Sequence, residues 1–303
     1  MDNRSGPCGV HHLNGAIMPS AGIFFKPQVP LREADVAIIG LPWDGTASNR
    51  PGARFGPEAI RSATLGIEDY SPYLDGDISR LKIHDAGDLE LPLGDTAAAL
   101  DKIYKEYVHL SGQKMVALGG EHLVSWPLVQ VMHKQYGDDL FVIQFDAHAD
   151  LREQYLWVKL SHATVMNLIT GLLGRENTAA VGIRSGASEE WNILSRHPHY
   201  FGGVSGKPLD TFPAFAAGSL KGRKVYLSLD LDIFDPGIMP GTGAPEPGGI
   251  SFSEFIPLLK SLENVEIVGA DIVELAPVYD HSGISQALAG TVLREILLLM
   301  VKP

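Results

Sequence analysis

Short apolar runs alternate with amphipathic segments along most of this chain of 303 residues. Seven runs have the length and residue types of buried strands, the second being the weakest: 35–41, 81–85, 115–118, 140–145, 179–183, 224–231 and 266–272. Seven segments with helical spacing lie among them: 58–62, 96–110, 123–136, 163–173, 188–196, 253–262 and 286–300. Alternation at this pace predicts parallel βαβ units with helices on both faces of a sheet. We therefore predict an α/β fold, a three-layer α/β/α domain with a mainly parallel central sheet.

The sequence contains no linker, repeat or low-complexity tract that would divide it. Residues 1–30 are less regular than the rest, and we expect them to form an N-terminal arm. Residues 31–303 are expected to form a single domain, since α/β proteins of this size are often undivided. The apolar stretch 292–301 is interrupted by Arg294 and Glu295. It predicts a buried helix or a subunit contact, because a membrane span needs ~18 or more apolar residues.

Charge and cysteine content limit the partners and the compartment. Acidic residues outnumber basic ones by 36 to 24, a net charge of -12, which argues against nucleic acid and is compatible with a cationic substrate. Cys8 is the only cysteine, so no intramolecular disulfide can form, as is usual in a reducing cytoplasm. The N-terminal residues lack the pattern of a signal peptide. We expect a cytoplasmic protein that does not bind membranes.

Three clusters of acidic and histidine residues stand at the ends of apolar runs: GGEH at 119–122, DAHAD at 146–150 and DLD at 230–232. In an extended chain, residues two apart point to the same side. Open parallel sheets also bind their ligands at the carboxyl ends of strands. A single acidic pair would equally fit a solvated loop or a helix cap. The joint occurrence of three clusters instead predicts one site, with the candidate metal ligands His122, Asp146, His148, Asp150, Asp230 and Asp232.

Four carboxylates and two imidazoles gathered in this way would repel each other unless cations lay among them. Oxygen-rich ligation with some imidazole and no thiolate favours a hard or borderline ion, and manganese is the natural candidate. Two such ions, roughly 3.5–4 Å apart, could share a hydroxide that acts as a nucleophile at neutral pH. The clusters therefore predict a dinuclear hydrolase with two Mn²⁺ ions per subunit.

These motifs resemble the signatures of the ureohydrolase superfamily, which includes arginase and agmatinase. GGEH, DAHAD and SLDLDIFDP at 228–236 carry the resemblance. RPGARFGP at 50–57, EHLVSWP at 121–127, PGTGAPEPGG at 240–249 and DIVELAPVYDH at 271–281 are similar to bacterial agmatinases. The similarity covers about residues 36–302. It implies an arginase-like fold, a homotrimer or homohexamer, and hydrolysis of a small cationic guanidino substrate.

The resemblance also implies a role for each matching residue. One manganese ion would be held by His122, Asp146, Asp150 and Asp230, and the second by Asp146, His148, Asp230 and Asp232. His162 matches the histidine that exchanges protons with bulk water, and Glu274 matches the carboxylate that receives the guanidinium. After hydroxide attacks the guanidinium carbon, Asp150 would pass a proton to the leaving amine.

The loop 151–161, with the sequence LREQYLWVKLS, bears on the substrate. It lacks the asparagine- and serine-containing pattern of arginases and resembles agmatinases, which implies conversion of agmatine to putrescine and urea in polyamine biosynthesis. Leu156 and Trp157 depart from the usual agmatinase pattern, so Trp157 could contact substrate at the pocket mouth or pack against a helix. An alternative is guanidinobutyrase, with Arg152 or Lys159 meeting the distal carboxylate. A catalytically inactive polyamine- or guanidine-binding homologue and a structural metal protein are further alternatives.

Overall fold

The computed structural model describes residues 17–18, 23–25, 28–110 and 112–301. Within them, the strands are β1 Ile17–Met18, β2 Val36–Leu41, β3 Tyr70–Ser71, β4 Gly76–Asp77, β5 Ile83–Leu89, β6 Lys114–Gly119, β7 Leu140–Phe145, β8 Thr178–Val181, β9 Tyr200–Phe201, β10 Lys224–Asp230 and β11 Glu266–Val273. Nine of these described strands form one sheet in the order β1-β5-β2-β6-β11-β10-β7-β8-β9. β1 is antiparallel to β5, and the other strands of the sheet are parallel to their neighbours.

Helices cover both faces of this sheet: α1 Gly56–Thr64, α2 Thr96–Leu110, α3 Ser125–Tyr136, α4 Val165–Leu173, α5 Ser188–Leu194, α6 Phe212–Ser219, α7 Phe252–Lys260 and α8 Ile284–Met300. Buried apolar residues of α1, α6, α7 and α8 form a core on one face. Those of α2, α3, α4 and α5 form a second core on the other face. Successive side chains of a central strand supply both cores, as Ile267 and Val268 of β11 do. The predicted three-layer α/β/α architecture is confirmed.

The predicted strands and helices all occur, with ends displaced by a few residues at most. The largest displacement is at β5, where Asp85 and Asp88 interrupt the apolar run. These polar residues serve a buried ion-pair network, in which Arg61 donates to Asp85 at 2.8 and 2.9 Å and also pairs with Asp88. The prediction missed α6, because its sequence FPAFAAGS has no polar face that would produce a helical period. It also missed four two-residue strands among the described residues, β1, β3, β4 and β9.

The apolar C-terminal segment is the buried helix α8, which packs against α1 and β11. Arg294 donates to Glu295 at 2.9 Å, and Glu295 accepts a hydrogen bond of 2.6 Å from Ser71, so both charges are satisfied inside the core. None of the described helices has the length and apolar character to cross a membrane. The expected N-terminal arm lies mostly outside the described residues, and its separation from a single domain stays a prediction.

Four adjacent parallel strands at the centre of the sheet bring the acidic clusters together. Their order is β6-β11-β10-β7. Their ends are in register, since Leu229 of β10 pairs with both Phe145 of β7 and Ile272 of β11, and Ile272 pairs with Leu118 of β6. The segments that follow these strands therefore begin at the same edge of the sheet.

Gly120, just after β6, is expected to tolerate no side chain. A Cβ atom there would lie 1.9 Å from the carbonyl oxygen of Trp43, and that oxygen accepts the Glu121 N–H at 2.8 Å. We predict that Gly120→Ala lowers the free energy of unfolding by about 1–3 kcal/mol, as overpacking does. Urea denaturation followed by circular dichroism measures it. Gly218→Ala in α6 is the control, because nothing lies within 4 Å of its Cβ position, and it should be neutral or stabilising. Equal stability of the two variants would contradict the prediction.

Candidate active site

His122 is the centre of the first group of predicted ligands. It begins a short 3-10 helix after β6 and is 1% exposed. Its Nδ1 atom lies 3.0 Å from Asp150, 3.1 Å from Asp146 and 3.6 Å from Asp230, measured to the nearest carboxylate oxygen. This buried nitrogen makes no hydrogen bond within the described part of the chain. This nitrogen faces three carboxylates and makes no hydrogen bond to them. A cation bound between the four groups would require this arrangement.

His148 belongs to a second group. Its Nδ1 atom lies 2.8 Å from Asp232 Oδ2 and 3.8 Å from Asp146 Oδ1. Asp146 contacts both histidines, so the two groups are adjacent and share a carboxylate. Ligand atoms within reach of one ion occur in each group, the first with His122, Asp146 and Asp150, and the second with Asp146, His148 and Asp232. The structure thus brings all six predicted ligands together.

The turns after β7 and β10 are held by the carboxylates themselves. Asp146 accepts the backbone N–H of His148 at 2.6 Å and the side-chain amide of Gln144 at 2.8 Å. Asp230 accepts the backbone N–H of Asp232 at 2.9 Å. Each of these aspartates therefore closes its own turn and fixes the direction in which the next ligand of its cluster points.

The charge balance of the site calls for added cations. Burial, with the charge of Asp232, raises the pKa of Asp146 to about 7, and the same causes raise the pKa of Asp230 well above its ordinary value. Burial disfavours the charged form of His148, yet the nearby Asp232 raises the pKa of His148 to about 10. Burial also opposes ionisation of Asp232, but His148 lowers the pKa of Asp232 to about 2. Divalent cations would favour the carboxylate forms and displace the proton from the histidine.

A buried hydrogen-bond chain orients His122. Its Nε2 atom lies 2.9 Å from Ser228 Oγ, and Ser228 donates its proton to Asp271 at 2.9 Å. Asp271 also accepts the Tyr226 hydroxyl proton at 2.8 Å. With its own proton on Asp271, Ser228 Oγ is placed to accept Nε2–H, which would leave Nδ1 available to a cation among the aspartates. Sequence reasoning assigned no role to these three residues. The feature of the sequence that could have indicated them is their polar character inside otherwise apolar strands.

Glu274 enters the same cavity from the end of β11, and the cavity has a volume of about 310 Å³. Its backbone is left-handed, with φ 67°, and its Oε1 atom accepts the backbone N–H of His122 at 2.8 Å. Its Oε2 atom has no hydrogen-bond partner among the described residues. Burial, together with the charge of Glu121, raises the pKa of Glu274 to about 8. A cationic ligand beside it would stabilise the carboxylate form.

His162 lines the same cavity as His148, Asp150, Asp230 and Asp232. Its backbone N–H donates to Thr46 Oγ1 at 3.1 Å, and its ring lies edge-on to Tyr155 with centroids 5.6 Å apart. Burial lowers the pKa of His162 below its ordinary value. The imidazole is thereby kept as a neutral base at physiological pH.

The structure does not bring Trp157 into the cavity. Tyr155 and Val158 exchange backbone hydrogen bonds of 2.8 and 3.0 Å, and the hairpin between them projects Trp157 into solvent, where it is 91% exposed. Trp157 is not among the described residues that line the cavity, and its exposure leaves it unpacked against the described helices, so its contact with substrate stays a prediction. Leu156 and Trp157 have φ of 46° and 69°, left-handed values that turn the hairpin tip away from the body of the protein.

Arg152, one of the two cations considered for a distal carboxylate, does line the cavity, whereas Lys159 is exposed and does not. Arg152 lies 3.4 Å from Glu190 and 5.0 Å above the Tyr155 ring. The loop 47–53 also forms a wall of the cavity, and sequence reasoning had not predicted this. Its Arg50 lies over the Tyr279 ring at 4.1 Å.

Loss of the Ser228 hydroxyl is expected to weaken metal binding. Ser228→Ala removes the acceptor of His122 Nε2–H, so the ring is free to change tautomer and orientation. We predict a decrease of about 10-fold in Mn²⁺ affinity, at the lower end of what loss of such outer partners costs. Isothermal titration of the metal-free protein measures it. Ser195→Ala, at a hydroxyl whose one hydrogen bond within the described part of the chain is to the Asn192 carbonyl, is the control. Equal Mn²⁺ affinities of Ser228→Ala and the wild type would show that this chain of hydrogen bonds does not orient His122.

The chain is similar in sequence and in structure to known agmatinases and to an amidino hydrolase. An agmatinase from Bacillus cereus is 43% identical over 290 residues, which cover 93% of this chain and 98% of that protein. The agmatine ureohydrolase of Thermoplasma volcanium has a solved structure with a TM-score of 0.77 and 28% identity, covering 90% of this chain and 92% of that one. The proclavaminate amidino hydrolase of Streptomyces clavuligerus has a TM-score of 0.78 and 31% identity, with coverage of 96% and 99%. The Arginase family model matches residues 34–299. The chain belongs to the arginase family of ureohydrolases.

Proposed function

We propose that this protein is an agmatinase, a hydrolase that converts agmatine and water to putrescine and urea. The observation that carries the proposal is the position of Glu274, whose half-buried carboxylate lines the same cavity as Asp150, His162 and the acidic cluster. A carboxylate with an unpartnered oxygen is the natural receptor for a planar cation. The agmatinase similarity over 93% of the chain supports the choice of guanidino compound.

Two divalent cations fit the donor set, and we propose manganese. One would be held by His122, Asp146, Asp150 and Asp230, and the other by Asp146, His148, Asp230 and Asp232. When bound, they would supply the Lewis acidity that activates a water molecule at neutral pH. The absence of thiolate among these ligands and the predominance of carboxylate oxygen favour manganese over softer ions.

The chain's own residues bind the substrate and move protons. Glu274 would accept N–H groups of the guanidinium and hold its central carbon toward the cluster. A water oxygen adds to that carbon, and the bond from the carbon to the alkyl-bearing nitrogen then breaks. Asp150 would carry the proton released by the water to the departing amine, and His162, a neutral base in the cavity wall, would exchange protons with solvent. Urea and putrescine account for all the atoms of agmatine and water.

Guanidinobutyrase remains a second candidate, because Arg152 lines the cavity and could meet a carboxylate at the far end of the substrate. Its neighbour Glu190, 3.4 Å away, already balances that charge, which favours agmatine. An inactive polyamine-binding protein is a third candidate, and the presence of all six ligands with Glu274 and His162 argues against it. Assembly as a homotrimer or homohexamer and a cytoplasmic location are further parts of the proposal.

Urea release by the manganese-loaded protein tests the function. Agmatine, arginine, 4-guanidinobutyrate and guanidine are compared at equal concentrations, and we expect agmatine to have the highest kcat/KM. Preference for 4-guanidinobutyrate that disappears in Arg152→Gln would identify the second candidate. No urea from any compound, with two metal ions bound per chain, would overturn the enzyme assignment.

Glu274→Gln is expected to abolish most activity while leaving the metal centre in place. The amide keeps the size of the side chain and an acceptor for the His122 N–H, but it removes the charge that pairs with the guanidinium. We predict a decrease in kcat/KM of about 100-fold or more, because the charged contact with the guanidinium becomes a neutral one. Steady-state kinetics with metal analysis measures it. An unchanged kcat/KM at full metal content would remove Glu274 from the mechanism.

A further inference from the structure

Glu121 is a buried carboxylate beside the active site for which the proposed mechanism has no use. It directly precedes His122 and is 1% exposed. Both of its oxygens face Thr46, which lies 75 residues earlier in the chain. The Thr46 backbone N–H donates to Oε2 at 2.8 Å, and the Thr46 hydroxyl donates to Oε1. Because a carboxylate only accepts hydrogen bonds, it fixes the direction of the Thr46 hydroxyl proton.

That direction matters for His162. With its proton given to Glu121, Thr46 Oγ1 can only accept hydrogen bonds from other groups, and it accepts the backbone N–H of His162 at 3.1 Å. The same oxygen lies 3.4 Å from the His162 ring atom Nδ1. His162 begins a 3-10 helix, so its N–H has no partner within that helix. Thr46 therefore supplies the group that holds the His162 backbone at the cavity.

The same contact fixes the wall of the cavity that follows Thr46. Asp44 accepts the Gly52 N–H at 2.8 Å and pairs with Arg54, which closes the base of the loop on itself. Glu121 then ties the closed loop to the end of β6 through Thr46. One buried carboxylate thus connects a loop that lines the cavity, the proton-carrying histidine and the strand end that bears a metal ligand.

We infer that Glu121 and Thr46 are positioning residues for the reaction, which act by holding His162 and the loop 47–53 in place. The inference rests on the proposed role of His162 as a proton carrier. Neither residue needs to touch substrate. A merely structural role for the pair would affect folding and activity without any dependence on His162.

A double-mutant cycle between Thr46→Val and His162→Ala separates these two roles. In the manganese-loaded full chain with agmatine, Thr46→Val should lower kcat about 10-fold and change KM by no more than about twofold, as loss of proton-transfer geometry would. Thr46→Ser, which keeps the hydroxyl, should restore kcat to within about twofold. In the His162→Ala background, Thr46→Val should lower kcat by less than about twofold, since residues that act through one another are not additive.

Thr178→Val is the matched control, because it removes a buried threonine hydroxyl that donates to the Arg175 carbonyl and lies 3.1 Å from His197 Nε2, outside the lining of the cavity. It should leave kcat unchanged. Hydrogen–deuterium exchange gives a readout independent of catalysis. The peptide that contains His162 should exchange faster in Thr46→Val than in the wild type, and at the wild-type rate in Thr46→Ser and Thr178→Val.

Glu121→Gln tests the carboxylate. Glutamine offers one acceptor oxygen where glutamate offers two, so one of the Thr46 donors loses its partner. We expect kcat to fall in the same direction as in Thr46→Val, and the double variant to be no slower than Thr46→Val alone. Wild-type kcat in Glu121→Gln would remove Glu121 from the inference.

The remaining outcomes are distinguishable. Equal decreases in kcat from Thr46→Val in both backgrounds, with His162→Ala itself strongly impaired, would overturn the positioning role and leave the proposed function intact. Full activity in His162→Ala would overturn both the role of His162 and the inference. If the chain released no urea at all, unchanged exchange of the His162 peptide in Thr46→Val would still overturn the structural basis of the inference.

Discussion

Mutual repulsion among buried carboxylates is the constraint on which this structure depends. Asp146, Asp230 and Asp232 stand at the ends of neighbouring central strands, where burial and each other's charge disfavour ionisation of Asp146 and Asp230. The sheet can hold them there because backbone pairing and two apolar cores fix the strand ends in register. The free energy of folding thus offsets the cost of holding these charges close together, and bound cations would reduce their repulsion.

The residues around this cluster each restrict the orientation of one of its predicted ligands. The chain from Tyr226 through Asp271 and Ser228 directs Nδ1 of His122 inward. Glu274 secures the His122 backbone, and its left-handed conformation turns its carboxylate into the cavity. Chemistry that depends on positions within a fraction of an ångström requires this kind of support.

Much of this arrangement could be predicted from the sequence. Apolar periodicity located the strands and helices, and the spacing of Asp146, His148 and Asp150 indicated a shared site. The outer partners could not be predicted, because contacts such as Thr46 with Glu121 join segments that are distant in the chain and have no period in common. The exposure of Trp157 could not be predicted either. The hairpin formed by its neighbours directs its side chain into solvent, and no local pattern of apolar residues indicates this.

The position of β11 has a consequence for how the protein is made. This strand is the last of the sheet to be synthesised, yet it lies between β6 and β10 at the centre. A nascent chain that lacks it has a gap between β6, which precedes His122, and β10, which ends at Asp230, and the final order requires contacts across about 150 residues of sequence. Such long-range pairing is intrinsically slow. The predicted ligands that follow β6 and end β10 therefore reach their final spacing only once β11 has been inserted between these two strands.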